Sequence, residues 1–499
     1  MKKAIISAFS ALLAMVTAIP STAQITGVEL ARKSQNPEQM LTHENEQVVR
    51  EVEAEADIIV CGGGLAGVCA AVSAARHGSK VILIQDRPML GGNASSEMRM
   101  GIVGVKEDQC QEAGILEEMQ CRNFYFNPLQ RYTMWDDVIY STVVEEPNIR
   151  LFLNTSVKDV VMDGENISAV KCWNSNNYTR YTFSGKLFID CTGDGILRLS
   201  GAEYRRGTES KHQYNESYLS NEKENFNTMG NSILLQLRKT DEHHPFTAPE
   251  WAYHFTDDDF NYDTPKSTIP GIKLNYKIIW RAHDNNFWWM ELGGLGPAIE
   301  NTEETRDELM KVAFGIWDHI KNREDHGFDN WELEWIGFLP GKRESVRYIG
   351  EHVLTQNDIA AGGNFDDIGA YGGWPMDDHN PKGFLANGED DEPSGFYRAP
   401  SPYGIPYRSL FSGNIDNLFF AGRNISATHA ALSSTRVMGT CSLLGQAIGT
   451  AAAICNQKNI LPKQLNGDLV KILQQTLIYD GVFIPGIKRA IPEKTKVAN

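Results

Sequence analysis

The stretch Asp57–Gly104, DIIVCGGGLAGVCAAVSAARHGSKVILIQDRPMLGGNASSEMRMGIVG, decides the fold. Asp57 to Cys61 is a short apolar run, Gly62-Gly63-Gly64-Leu65-Ala66-Gly67 makes a turn, and Leu65 to Arg76 is a run of small and apolar residues suited to a closely packed helix. After His77-Gly78-Ser79 a second apolar run, Lys80 to Gln85, completes a βαβ unit of the size that binds dinucleotides. The three spaced glycines have separate duties. Gly62 permits the tight turn, Gly64 lets backbone approach a pyrophosphate, and Gly67 allows close contact between helix and sheet. The diphosphate would rest on the unpaired amides of the helix start, at Leu65 and Ala66. Where such units usually carry a ribose-binding carboxylate, this chain has Gln85, with Asp86 next to it. Either Asp86 takes the role or the ribose is held more weakly, because a neutral amide is no anionic acceptor.

Working outward, the chain opens with Lys2 and Lys3, an apolar segment from Ala4 to Pro20, and Ser21-Thr22-Ala23. That is the form of a secretory signal cleaved after Ala23, so the mature chain is expected in the periplasm or secreted, with no stable membrane insertion. The formal charge of −17 becomes −19 once Lys2 and Lys3 are removed. Such a balance disfavours nucleic acid and anionic membrane surfaces as partners. None of the eight cysteines forms a CxxC pair, so neither a redox dithiol nor a zinc knuckle is indicated. Burial is the expectation for most, and Cys110 with Cys121 is the pair to consider for a disulfide.

The length calls for a large core divided between two domains. After the signal (1–23), residues 24–55 are polar and Glu-rich without sustained periodicity, as in a linker or surface-wrapping extension. Residues 56–224 read as the first part of the dinucleotide domain. It includes a second glycine turn at Leu90-Gly91-Gly92-Asn93, helical spacing at 111–125 and 136–145, and a small crossover sheet from Arg150 to Cys191. Asp190-Cys191-Thr192-Gly193-Asp194-Gly195 repeats the strand-to-glycine-turn pattern. Residues 225–400 change texture and form the candidate substrate domain, α+β in class. There Asn301 and Glu304 begin a helix with Leu309, Val312, Ala313, Ile316, Trp317 and Ile320 on one face. Residues 401–470 return to the nucleotide style, with a strand at 417–421, the turn Gly422 and a small-residue helix at 437–454. Residues 471–499 close the chain as a short helix and tail.

These stretches, together with WIGFLPGKRESVRYIGEHVLTQNDI, YGGWPMDDH and the segment from YGIPYRSL to NLFFAGRNISATHAALSSTRVMGTCSLLGQAIGTAAAI, carry a family pattern. The chain resembles FAD-dependent oxidoreductases of the glutathione-reductase-like superfamily, in a secreted or periplasmic branch common in polysaccharide-degrading bacteria. The resemblance implies a Rossmann-like FAD-binding domain and FAD as the tightly held cofactor. It further implies that Gly422 and Arg423 approach the pyrophosphate and ribityl region, and that Gly439 to Gln446 approach the flavin ring. The nucleotide contacts expected on this basis include Gly91, Gly92, Asn93 and Asp194.

Oxidising an alcohol by hydride transfer to flavin N5 requires a base near the hydroxyl. Histidine suits neutrality. His429 follows Gly422-Arg423-Asn424 closely, which places it and Asn424 near the ring, although a structural hydrogen-bonding role fits the same position. His379 follows Asp377 and Asp378, which could orient it, bind a metal with it, or form a solvated turn; three adjacent ligands converge poorly, so no metal is expected. Arg99, Arg343, Arg347, Arg408 and Arg436 could clamp an anion. Arg343 and Arg347 share a face if 342–351 is helical, or pair with Glu344 and Glu351. Trp288, Trp289, Tyr371 and Trp374 lie among glycines and charges, as in a pocket wall for sugar rings. The expected catalytic set is His429, His379, Asn424 and Arg343. The expected reaction is dehydrogenation of a carbohydrate or polyol hydroxyl, with electrons passing to an unidentified acceptor. The alternatives are a dehydrogenase or reductase of a small carboxylic acid, a glycoside elimination with no net redox change, and a flavin-binding scaffold.

Overall fold

Ile58–Cys61 contains no polar residue because a central strand of a parallel sheet is covered on both faces, and all four residues are fully buried. The computed structural model describes residues 48–105, 110–255, 286–322, 326–386 and 394–490. The expected signal at 1–23, most of the extension and the tail after 490 lie outside the described residues, as do the side chains of Trp288 and Trp289.

The chain begins with β1 (Arg50–Glu55), β2 (Ile58–Cys61), α1 (Leu65–Arg76) and β3 (Val81–Ile84). Then come α2 (Ile115–Phe126), α3 (Tyr132–Val144), β4 (Ile149–Phe152), β5 (Thr155–Asp163), β6 (Asn166–Asn174), β7 (Thr179–Ser184), β8 (Leu187–Asp190) and β9 (Tyr204–Arg206). The middle carries β10 (Asn231–Lys239), β11 (Asn286–Leu292), α4 (Thr302–Asn322), β12 (Trp331–Ile336), β13 (Val346–Tyr348) and α5 (Gln356–Ala360). The rest is β14 (Ile368–Gly372), β15 (Met376–His379), β16 (Ser394–Tyr397), β17 (Tyr403–Pro406), β18 (Leu418–Phe420), α6 (His429–Thr435), α7 (Met438–Lys458) and α8 (Asp468–Tyr479).

The central sheet is parallel, in the order β18-β8-β2-β3-β4. Residues 57–84 thus form the expected βαβ unit within a Rossmann-like α/β layer. A second sheet, β1-β7-β6-β5, is the crossover sheet. Its edge corrects one expectation: Arg50–Glu55 is a strand rather than linker. Val52 and Ala54 alternate with exposed charges, a period of two too short to stand out in a Glu-rich stretch.

Helix α1 lies between the sheet and α7. The two helices meet where each is smallest: a Cβ on Gly445 would lie 2.0 Å from the Ala66 carbonyl oxygen, and one on Gly449 2.2 Å from that of Ala70. The Ser73 and Thr450 hydroxyls hydrogen-bond across the contact at 2.7 Å. Gly445→Ala is therefore expected to destabilise the fold by about 1–3 kcal/mol through overpacking, read as a lower denaturant midpoint at unchanged slope. Helix α7 is long and apolar enough to cross a membrane, yet 94% of its apolar window is buried inside the protein.

Residues Glu51–Asn499 make one compact unit. Within it the antiparallel sheet β11-β10-β12 packs on α4. Leu309, Val312, Ala313, Ile316, Trp317 and Ile320 form the buried face of α4, as its spacing foretells, and close a second apolar core with Ile233 and Leu235. None of the eight cysteines is joined in a disulfide, so Cys110 and Cys121 form no bridge.

Candidate active site

The glycines of the first turn divide their work as their spacing implies. Gly62 sits at φ +100°, and a Cβ there would lie 2.5 Å from the Cys191 backbone; one on Gly67 would lie 1.8 Å from the Gly62 carbonyl oxygen. Around a Cβ on Gly64 there is nothing within 4 Å, because Gly64 faces a cavity of about 840 Å³, within the usual range for ligand sites. Gly64 is also the N-cap of α1 and offers no side chain to its first amides, which keeps them available for an anion. The second glycine turn presses against the first, with the Gly91 amide donating to the Gly63 carbonyl at 2.8 Å. Gly62, Leu65, Ala66, Gly91, Gly92 and Asn93 line the cavity, whereas Gly67 acts by packing beneath it.

Gln85 borders the cavity but spends its amide on the turn. Its Oε1 accepts from the Gly63 amide at 2.7 Å and its Nε2 donates to the Met89 carbonyl at 3.0 Å. Gln85 is therefore a brace, and Asp86, exposed on the cavity wall, is the carboxylate left for a ribose. Farther along, Asp194 accepts from Lys342 Nζ at 2.6 Å and Arg423 Nη2 at 2.9 Å. Burial would raise its carboxyl, but the two cations draw it down to about 2. Gly422, at φ +101°, brings its backbone to the same wall. The start of α7 contributes Val437, Met438 and Cys441 to the lining. Gly439 and Gln446 are corrections. Gly439 packs against Glu112, and Gln446 is turned away to accept from the Ile115 amide at 2.9 Å, at the start of α2.

The remainder of the cavity is built by strand alternation. β15 pairs antiparallel with β16, Asp377 opposite Phe396 and His379 opposite Ser394. These four residues line the cavity, while Asp378 points the other way. The His379 Nδ1 lies 2.9 Å from both carboxylate oxygens of Glu291, and Nε2 lies 3.4 Å from Asp377. Glu291, on β11, also holds Arg343 Nη2 at 2.8 Å. Burial opposes ionisation of Glu291, but Arg343 and His379 keep its carboxyl below the ordinary range. Arg436 donates to the Asp377 carbonyl at 2.9 Å, and its guanidinium lies 3.7 Å from the Asp377 carboxylate. Burial opposes the Asp377 charge, and His379, Arg436 and Arg343 together hold its carboxyl well below the usual range. Trp374 lines the same wall.

His429 lies elsewhere. It begins α6, is buried, and does not line the cavity. Its Nδ1 is 3.0 Å from Glu344 and its Nε2 3.0 Å from Asp378. Burial would lower its pKa, yet the two carboxylates hold it well above the ordinary value. Away from the cavity wall, its ring cannot reach a substrate bound there. Asn424 is a second correction: it is fully buried and donates to Asp190 at 3.2 Å, bracing the turns after β8 and β18. Residues 346–348 form a strand rather than part of a helix, so Arg347 faces away from Arg343, buried between Glu344 and Glu209. Tyr371 is buried and donates to the Gln111 carbonyl at 2.6 Å. Arg408 pairs with Asp367, and Arg99 stacks over Trp335 at 4.2 Å. Among the described residues no group of three His, Cys, Asp or Glu could hold a metal ion.

The donor set fits a flavin dinucleotide. The glycine turn supplies bare amides, Asp86 an acceptor at the strand end, and Arg423 a cation whose buried Nε has no hydrogen-bond partner among the described residues. Sequence reasoning missed Glu291. It lies in a Trp-rich strand with no motif around it, and only the packing of one sheet against another brings it to His379.

Comparison with known proteins agrees. A family model described as FAD dependent oxidoreductase matches residues 57–477. A stretch of 44 residues is 46% identical to an iron-sulfur component of the CoB--CoM heterodisulfide reductase of Methanopyrus kandleri, covering 9% of this chain and 7% of that one. Among solved structures, a geranylgeranyl bacteriochlorophyll reductase-like protein from Thermoplasma acidophilum is similar at 12% identity, TM-score 0.38, over 86% of this chain and 85% of that one. OxyS anhydrotetracycline hydroxylase from Streptomyces rimosus is similar at 10% identity, TM-score 0.34, over 85% and 66%.

Proposed function

Because the chain belongs to the FAD-dependent oxidoreductase family, we propose that it is a dehydrogenase of a neutral polyhydroxylated substrate, a carbohydrate or polyol, with His379 as the base. The observation that carries this reading is the His379–Glu291 contact on a cavity wall whose arginines already face carboxylates. FAD, when bound, supplies the two-electron sink for such an oxidation. Glu291 accepts the Nδ1 proton of His379 and so fixes the tautomer in which Nε2 can take a hydroxyl proton. Asp377, Arg343 and Arg436 offer acceptors and donors to neighbouring hydroxyls, and Trp374 a flat apolar wall for a ring.

Arg343 is offset by Glu291, and Arg436 by Asp377. That balance favours a neutral substrate over a carboxylate. Arg99 and Arg408, which a carboxylate clamp would have recruited, point elsewhere. We further propose that residues 225–400 act as the substrate-facing part of the chain, since Arg343, Trp374, Asp377, His379 and Phe396 all come from it. The test is anaerobic flavin absorbance of the holoprotein against sugars, polyols and small carboxylic acids. Bleaching by a neutral sugar or polyol is the expected result. Bleaching by carboxylic acids alone would reject the substrate class, and bleaching by none of them would reject the reading as a whole.

A further inference from the structure

Two short strips of chain present the substrate end of the cavity, and each has a second face. In residues 342–344, Arg343 lines the cavity and Glu344 turns inward; in residues 377–379, Asp377 and His379 line it and Asp378 turns inward. The inward carboxylates do not touch the cavity, but both meet His429. We propose that His429 is a positioning residue: its two ring nitrogens join Glu344 to Asp378 and so fix the separation of Arg343 and His379 on the cavity side. This inference rests on the reading of His379 as the base.

Charge and burial support the role. Glu344 is fully buried and holds Arg347 as well as His429, while its Oε2 accepts from the Met229 amide at 3.0 Å. Glu209 accepts from the His429 backbone amide at 2.9 Å and pairs with Arg347 at 2.8 Å. Glu216 reaches the same helix start through the Thr428 hydroxyl at 2.6 Å. The groups facing His429 are thus four carboxylates and one guanidinium. A neutral or absent ring would leave the half-buried Asp378 and the buried Glu344 repelling one another where water screens them only in part. A backbone shift of about 1 Å at a reacting group costs on the order of 100-fold in rate.

The raised His429 pKa also gives a signature that needs no substrate. A group whose folded pKa lies above its unfolded value, about 6.5 for histidine, lends stability in full below the unfolded value and loses it as pH rises through the folded one. Wild-type holoprotein should therefore lose melting temperature as pH is raised above neutral, and His429→Gln should show a flatter profile over that window.

The deciding experiment compares wild type, His429→Gln, Asp378→Asn and His379→Gln as full-length holoproteins. It records flavin content, melting temperature against pH, and the rate of anaerobic flavin reduction against pH with the fastest-bleaching compound among the sugars, polyols and small acids. His429→Gln should retain flavin and slow reduction roughly 10- to 100-fold. Its acid limb should move to higher pH, because a cation behind the cavity wall is lost. Asp378→Asn removes an anion and should move the limb the other way, and it decides the matter alone if His429→Gln does not fold. Wild-type reduction rates with unmoved limbs would overturn the proposal, as would early melting and slow reduction with no limb shift. Normal reduction by His379→Gln would instead overturn the reading of the base.

Discussion

Replacing His379 by glutamine should leave the protein yellow and folded while slowing anaerobic flavin reduction by about 10²- to 10⁴-fold, the usual contribution of a positioned general base. The expectation follows from where the ring sits. His379 lies on the cavity-facing side of β15, directly opposite Ser394, with its Nδ1 against both oxygens of Glu291. Glutamine keeps a donor for Glu291 but accepts no proton. Flavin content should be unchanged, because among the described residues no hydrogen bond or ion pair joins the ring to the glycine turn or to Arg423. Glu291→Gln should cause a smaller loss, since the ring stays in place but loses the anion that selects its tautomer and that offsets Arg343. Stopped-flow reduction and bound-flavin absorbance per protein measure both. A His379→Gln protein that bleaches at the wild-type rate would remove the residue from the chemistry.

Gly67→Ala should be harsher for the cofactor than Gly64→Ala, although both add one methyl group to the same turn. At Gly67 the new carbon would lie 1.8 Å from the Gly62 carbonyl oxygen. That contact is with backbone, so the turn or the helix must move, and an overpacked core commonly costs 1–3 kcal/mol or, as here against rigid atoms, about that or more. A colourless or insoluble protein is the expected result. At Gly64 the methyl meets nothing within 4 Å and projects into the cavity. That variant should fold at nearly wild-type stability and bind FAD more weakly. Melting of the two apoproteins against their flavin occupancy separates the effects. Equal occupancy in both would show that the turn does not carry the diphosphate.

Local pattern and chain direction were enough to read much of this. The βαβ unit, the division of labour among Gly62, Gly64 and Gly67, and the buried face of α4 all follow from spacings within one turn or one strand. What failed was inference from proximity along the chain. His429 stands six residues beyond Arg423, yet the chain turns into α6 between them and carries the ring away from the cavity. Gln446 sits on the helix whose first turn lines the cavity, but more than one helical turn farther on, where it faces α2. The alternation of β15 could have been seen in Asp377-Asp378-His379. Which face was inward depended on a pairing with β16 and on Glu291, eighty-eight positions away from His379. Partners at that distance leave no trace in local periodicity.

The central sheet is completed by β18, whose neighbour β8 was laid down much earlier; the Asn417 side chain at that junction bonds Ile167, 250 positions before it. Helix α7, which covers α1, comes later still. A nascent polypeptide therefore carries its glycine turn with an open sheet edge and an uncovered helix until β18 and α7 have been made. The loop that must close first is long, and such non-local pairings slow folding. Cofactor capture in this architecture consequently waits until β18 and α7 have been made, and a chaperone that shields apolar strand edges has its main opportunity before then.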